Sequence, residues 1–463
     1  MATAGSGDWD LALPCHSYRL VPVRKGLRGK AFYVEEGQDL YAIGHELQFL
    51  WGLAAEFVPI PQEQFAELWE DFCRRLPKIG VLGNFSDVFA ATALEPSPVG
   101  RLLARIFAKA VHLGASDLHF ESLRDGLLVR LRVDGALREE LRLAGEMCVP
   151  ISILLKTLAK LDIAERFRPQ DGRFGLRFAG AAVDFRISIL PTKFGESMAL
   201  RILDRRRLFR GLGDLAMDAA TATAIRAALA SPSGLFLVTG PTGSGKTTTL
   251  YAALSEMDCP DKKVLTIEDP IEYDLQNCLQ AAVDLSVGRT FSTVLRSFLR
   301  HDPDKIFVGE IRDGETAEIA LRAALTGHLV LTTLHTATPR EALLRLEEMG
   351  LERPLLLSCL RGILSQRLLR LNCPDCRGPE NSELPPQLAR LRRENLRRGI
   401  GCDSCGGRGT VGRRAFFEFL SVNEKSFQED GAGIGSLVRA GMGALSAGEV
   451  PLEEFLQQMP WNR

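Results

Sequence analysis

Residues 234–248 read GLFLVTGPTGSGKTT, and this stretch decides the fold. Leu235 to Val238 is an apolar run of strand length. Gly240, Pro241, Thr242, Gly243, Ser244, Gly245, Lys246 and Thr247 then fit G-x-x-x-x-G-K-[ST] at every fixed position, and Thr248 extends the motif. Thr249 to Leu254 resumes an apolar pattern that suits a helix. Strand, glycine loop and helix is the context that separates a nucleotide-binding P-loop from a plain glycine-rich turn. Gly243 and Gly245 carry no Cβ, so the loop can fold its N–H groups inward around phosphate oxygens. The helix N-terminus behind it adds a partial positive charge. Lys246 is placed to reach the β- and γ-phosphates of ATP, and the Thr247 hydroxyl to ligate Mg²⁺.

Outward from the loop, residues 214 to about 370 alternate strand and helix patterns, which implies a mostly parallel sheet. Strands are expected at Val264–Ile267, Ile306–Val308 and Leu329–Thr333. Each leads into polar groups, at the strand ends where open α/β sheets bind ligands. The first leads into Glu268 and Asp269, the second into Glu310, the third into His335. Gly309 stands where many P-loop enzymes place an Asp, so Glu310 is the candidate to polarise the attacking water and help hold Mg²⁺. Glu268 is a candidate for related work; the alternative for either acid is a carboxylate capping a helix. His328 and His335 are candidates to donate a hydrogen bond to the γ-phosphate.

Cys373-Pro-Asp-Cys376 and Cys402-Asp-Ser-Cys405 are two C-x-x-C pairs separated by 25 residues. Two such knuckles indicate a closed, structural Zn²⁺ site of four thiolates. A redox pair is a rival reading, and so is a nucleic-acid ribbon, given Arg390, Arg392, Arg393, Arg397 and Arg398 between the knuckles. The other cysteines, Cys15, Cys73, Cys148, Cys259, Cys278 and Cys359, are scattered and read as reduced thiols.

The 463 residues suit two to four domains, and the charged and apolar fractions are those of a globular protein. A net charge of −1 argues against a broad nucleic-acid-binding surface. No apolar run reaches the length of a membrane span, and MATAGSGDWD lacks a signal-peptide pattern, so a cytosolic protein is expected. Residues 1–90 read as a small separate domain: strands at Tyr18–Val23 and Lys30–Val34, a mixed stretch at Tyr41–Trp51, and a helix at Pro61–Leu76. Gly83 to Pro98 reads as a linker. Residues 97–205 read as α+β, with helices at Val99–Leu113 and Met147–Leu161 and strands at Ser116–Glu121, Leu127–Val133, Phe174–Phe178 and Val183–Leu190. This part is rich in arginine: Arg130, Arg132, Arg168, Arg173, Arg186 and Arg201. The charged run from Asp204 to Arg210 reads as a hinge, and Leu437 to Met459 as a last helical region.

From Pro98 onward the motifs resemble the secretion traffic ATPases of the GspE/PilB type, the motors of type II secretion and type IV pilus assembly. The matching stretches are SDLHFE at 116–121, RVDG at 132–135, RPQDGRF at 168–174 and RISILPTKFGESMALRIL at 186–203. They continue through the P-loop, IEDPIE at 267–272, LRSFLRHDPDKIFVGEIRD at 295–313, TGHLVLTTLHT at 326–336, LSQRLLRLNCPDC at 364–376 and GRRAFFEFL at 412–420. His301 departs from the family, which often has Gln there. The resemblance implies an α/β, RecA-like P-loop NTPase core with a parallel sheet at 214–370, preceded by an α+β (PAS-like) domain at 97–205 and a small N-terminal domain. A zinc-binding insert at 371–420 and a helical region at 421–463 would follow. It further implies a homo-hexameric ATP hydrolase on the cytoplasmic face of the inner membrane, docked through residues 1–90 on a membrane platform. Such a motor drives pseudopilus assembly in type II secretion, the short N-terminal domain favouring this over pilus extension; a nucleic-acid translocase is the more distant alternative. Arg186 and Arg201, which flank LPTKFGE, match positions where the family supplies arginines to the nucleotide, and the zinc motif separates the chain from the retraction motors.

Overall fold

The structure is a computed structural model, and it describes residues 19–23, 31–51, 54–75, 97–178, 181–204, 211–257, 261–389, 391–422 and 437–460. The chain divides into two compact units, Met1–Arg206 and Arg207–Arg463.

The first unit begins with a three-stranded sheet of β1 (Val21–Pro22), β2 (Ala31–Glu35) and β3 (Glu56–Ile60), in that order. β1 and β2 are antiparallel, β2 and β3 parallel. A parallel pair needs a crossover, and the helix Leu40–Trp51 supplies it. This corrects the mixed reading of 41–51. Leu40, Ile43 and Leu47 recur at helical spacing and pack with Leu20, Phe32 and Val34, while Tyr41 points to solvent. The helix Gln62–Arg75 forms where expected, with Phe65 buried and stacked on Trp69. Tyr18, Lys30, the 83–96 part of the linker and the hinge residues 205–210 lie outside the described residues.

A six-stranded antiparallel sheet follows: β4 (Asp117–Leu123), β5 (Gly126–Val133), β6 (Ala136–Leu143), β7 (Gln170–Phe178), β8 (Ala181–Thr192) and β9 (Gly195–Asp204), in the order β6-β5-β4-β9-β8-β7. The helices Pro98–His112 and Cys148–Ala159 cover one face, where Leu103, Phe107, Phe120, Leu155 and Phe185 meet. Cross-strand register places Arg132, Asp117, Arg201, Arg186 and Arg173 side by side in one row across five strands. β6 and β9 were not read from the sequence.

The second unit is built on seven strands: β10 (Gly234–Thr239), β11 (Val264–Glu268), β12 (Cys278–Ala282), β13 (Lys305–Val308), β14 (Leu329–Leu334), β15 (Leu360–Asn372) and β18 (Thr410–Leu420). Between the last two, β16 (Arg377–Pro379) and β17 (Arg397–Gly399) form a separate antiparallel pair. The sheet order is β12-β11-β13-β14-β10-β15-β18, and every pairing is parallel except β15 with β18. Every residue of β10 and β14 is buried, as expected of central strands covered on both faces. Leu235 and Leu237 pack with the helices Phe291–Phe298, Gly314–Leu325 and Pro339–Glu348, and Phe236 and Val238 with Ala219–Leu229 and Lys246–Glu256. β18 falls within the 371–420 stretch read as the zinc region, yet it pairs along β15 and completes the core sheet. The helices Leu437–Ser446 and Leu452–Gln458 pack on Leu369, Leu388, Leu396 and Phe416. No described helix is long and apolar enough to cross a membrane.

Candidate nucleotide site and metal centre

β10 delivers the chain to residues 240–245, and the helix Lys246–Glu256 starts immediately after, with no side chain capping its first turn. Its leading N–H groups are therefore open to an anion. Pro241, Thr242, Gly243, Thr247 and Thr248 are exposed, whereas Ser244 and Lys246 are buried. The Lys246 ammonium folds back over the loop, donating to the carbonyls of Gly240 (2.9 Å) and Pro241 (3.2 Å), and lies 3.4 Å from His335 Nδ1. Burial pushes its pKa down to about 8, against the pull of Glu310 and with the help of the Arg367 charge.

The ends of β13 and β14 bring in the rest. His335 Nε2 stands 2.9 Å from Glu310 Oε2, so Lys246, His335 and Glu310 form one chain of contacts. Arg312 hydrogen-bonds Glu310 and lies 3.5 Å from Asp269. Burial works to raise the Glu310 carboxyl, but the hydrogen bond and charge of Arg312, with His335, outweigh it and hold the pKa below the ordinary value. Glu310 is thus an ionised acceptor, suited to orient a water. Gly309 lies at a close approach: a Cβ there would stand 3.2 Å from the Ile267 carbonyl and 3.4 Å from Glu268 Cα, so a larger residue would push the two strand ends apart. The Gly309 N–H donates to Ile267 (2.8 Å) and its carbonyl accepts from Thr333 Oγ1 (2.8 Å), which fixes the strand end that presents Glu310.

Glu268 sits differently. It is 3 % exposed, and its oxygens accept from Tyr251, from Thr266 Oγ1 (2.7 Å) and from Gln280 Nε2 (2.9 Å). Burial, and then the Glu268 charge and hydrogen bond, raise the Tyr251 pKa well above its usual value. His328 stands apart from the Lys246 chain, its Nδ1 2.9 Å from the Ala323 carbonyl at a helix end. Arg296 pairs with Glu315 (2.7 Å), and Arg300 donates to the Arg296 carbonyl (3.1 Å). Arg186 and Arg201 belong to the first unit, directly opposite one another on β8 and β9, with Arg201 3.4 Å from Asp117. Sequence reading missed Tyr251, Thr266 and Gln280 around Glu268, and Gln366 beside the loop, because buried polar residues inside apolar runs leave no local pattern.

The four cysteines converge. Cys373 and Cys405 are fully buried, and the four Sγ atoms lie within 4.8 Å of one another. Three of the separations, Cys373–Cys402, Cys376–Cys405 and Cys402–Cys405, are 3.8 Å. Tetrahedral thiolates at a Zn–S distance of about 2.3 Å stand about 3.8 Å apart, so the donor set fits zinc. A disulfide needs sulfurs about 2 Å apart, and all four cysteines are free thiols. Burial opposes ionisation of Cys405, but the N–H groups of Cys402 (3.2 Å) and Gly409 (3.2 Å) donate to its sulfur and draw its pKa down to about 7. The Gly401 N–H approaches Cys376 Sγ at 3.3 Å. Such amide–sulfur contacts are the outer support of a thiolate metal site.

Comparison with known proteins agrees with this geometry. The family model described as "Type II/IV secretion system protein" matches residues 92–430. The chain is 38 % identical to the type II secretion system protein E of Aeromonas hydrophila over 445 residues, 89 % of each chain. It is 44 % identical to the type II secretion system ATPase E of Vibrio cholerae over 334 residues, 71 % of this chain and 66 % of that one. Among solved structures, the pilus retraction motor PilT with bound ADP superposes with a TM-score of 0.53 at 28 % identity, over 77 % of this chain and 96 % of that one. The ATPase DotB of Legionella pneumophila gives 0.58 at 21 % identity, over 77 % and 95 %, and shows the same fold.

Proposed function

This chain belongs to the type II/IV secretion system protein family, and on that premise we propose that it hydrolyses ATP to power pseudopilus assembly and protein export through a type II secretion system. The observation that carries the site assignment is the Lys246–His335–Glu310 chain at the mouth of an uncapped helix N-terminus. The ATP phosphates take the place of the Gly240 and Pro241 carbonyls as partners of Lys246. Glu310, kept ionised by Arg312, orients water for attack on the γ-phosphorus, and the bond to the bridging oxygen breaks to leave ADP and phosphate. His335, touching both Lys246 and Glu310, senses whether the γ-phosphate is present. Mg²⁺, when bound, neutralises phosphate charge; the exposed Thr247 hydroxyl beside Lys246 suits it as a ligand. Zn²⁺ in the Cys373, Cys376, Cys402 and Cys405 site has a structural role.

Arg186 and Arg201, adjacent in the arginine row, supply guanidinium groups to the nucleotide of a neighbouring subunit in a homo-hexamer. Residues 1–90 dock the motor on platform proteins at the cytoplasmic face of the inner membrane. Identities of 38 % and 44 % to type II secretion proteins E support secretion over pilus extension. Glu310→Gln tests the catalytic assignment: ATP binding should persist while turnover is lost, and normal turnover would remove Glu310 from the mechanism. Mixing Arg201→Ala with Lys246→Ala subunits tests the trans geometry. Partial recovery of activity is expected, and none in proven mixed hexamers would refute it.

A further inference from the structure

β15 runs parallel to β10 and pairs Ser365 with Thr239, so the next residue, Gln366, lies against the start of the glycine loop. Gln366 is 1 % exposed. Its Nε2 donates to the Ser244 carbonyl (2.6 Å), and its Oε1 accepts from Thr249 Oγ1 (2.8 Å) in the helix that follows the loop. Its own carbonyl lies 2.6 Å from where a Cβ on Gly240 would stand, so the backbone of Gln366 also touches the first residue of the loop. One residue therefore contacts the loop at its beginning, near its end and one turn into the helix.

The Ser244–Gly245 peptide is a planar, trans unit, so its carbonyl and its N–H point in opposite directions. Holding the Ser244 carbonyl toward Gln366 turns the Gly245 N–H the other way. Successive loop N–H groups turned to one side are what makes a nest for phosphate oxygens. We infer that Gln366 is a positioning residue for ATP, locking the Ser244–Gly245 peptide so that the Gly245 N–H faces the phosphates. The inference rests on the reading of this loop as the ATP site. The Gly245 N–H would serve bound ATP and the transition state alike. Its loss therefore acts on binding, not on the chemical step.

The test is steady-state kinetics of the full chain with ATP·Mg on Gln366→Met, Gln366→Glu and Thr249→Val, with ATP·Mg binding by Lys246→Ala measured by titration calorimetry and folding checked by circular dichroism. Met keeps the bulk and removes both hydrogen bonds; Glu keeps the acceptor for Thr249 and, when ionised, removes the donor to Ser244. Both should raise the KM for ATP about tenfold with kcat within about threefold, the size expected for one lost buried hydrogen bond. Thr249→Val leaves the Ser244 bond in place and should move KM less than about threefold. If the Met and Glu variants do not fold, Gln366→Asn, which withdraws the same amide by one methylene, should show a smaller rise in KM alone. Unchanged KM in the folded Gln366 variants, or a fall in kcat alone, overturns the inference while Lys246→Ala has lost ATP binding. If Lys246→Ala binds ATP·Mg normally, the loop is not the ATP site and the inference falls with that reading.

Discussion

The glycine loop and the four-cysteine module solve opposite problems within one unit. In the loop the charged groups hold one another provisionally: Lys246 on the carbonyls of Gly240 and Pro241, Glu310 between Arg312 and His335. In the proposed mechanism each exchanges that partner for a phosphate or a water during turnover. In the module the four sulfurs already stand at the spacing a metal requires, with backbone N–H groups aimed at them. Nothing there has to exchange. A catalytic site is organised by a backbone that stays still while charges move; a structural site is organised so that neither moves.

The two sites should differ most at Lys246. Lys246→Ala should cut ATP turnover about a hundredfold or more, as for other removed transition-state donors, while shifting the melting temperature by less than about 2 °C. Unfolding that accompanies the loss of activity would mean that the loop is as structural as the module.

The module should respond the other way. Wild-type protein should contain one Zn²⁺ per chain, and Cys373→Ser/Cys402→Ser should contain none by metal analysis. That variant should lose on the order of 3–5 kcal/mol in denaturant unfolding of the module, because metal-binding energy is folding energy in so small an insert. Unchanged metal content would refute the site.

Acidity gives a third separation. With its pKa brought to about 8, Lys246 sheds its proton in the nucleotide-free protein as the pH passes 8, yet ATP favours the charged form. ATP binding above pH 8 should therefore take up a proton, and affinity should fall by up to about tenfold per pH unit. For the empty protein the sign is reversed. The folded pKa lies below the reference value of 10.5, so between about 8 and 10.5 the unfolded chain binds more protons and this group's contribution to stability rises with pH. Titration calorimetry in buffers of different ionisation enthalpy checks the proton uptake, and Lys246→Arg should abolish it.

The smallest effect sharpens the role of Glu268. Tyr251→Phe leaves the carboxylate its bonds from Thr266 and Gln280 and should cost about 1–2 kcal/mol of stability, with turnover within about fivefold. A hundredfold loss of turnover in that variant would move Glu268 from a buried network into the catalytic group.

What could be read in advance follows from the same physics. The loop is legible because phosphate binding imposes glycine, lysine and hydroxyl at fixed spacing. The cysteines are legible because few other arrangements require four thiols in two close pairs. β10, β11, β13 and β14 were expected because they are short, mostly apolar runs, as strands covered on both faces must be. β15 was not: LRGILSQRLLRLN carries Gln366 and Arg367 inside a buried strand, and their partners are the Ser244 and Ala337 carbonyls, both distant in sequence. The helix at 40–51 looked mixed because Tyr41 and His45 interrupt its apolar spacing, and only the parallel pairing of β2 and β3 demands a crossover there.

β15 and β18 close the core sheet side by side. They are antiparallel neighbours, and Asn372 pairs directly with Thr410, so everything between them leaves the sheet and returns to the same place. In evolutionary terms the stretch is a cassette: excised, it would leave two strand ends close enough for a short turn to join, and the path of the core sheet would survive. The penalty would fall elsewhere, on Leu388 and Leu396, which contribute to the cluster holding Phe416 and Phe455. A lineage could therefore lengthen or discard the cassette without redrawing the motor, provided the carboxy-terminal helices found another surface to cover.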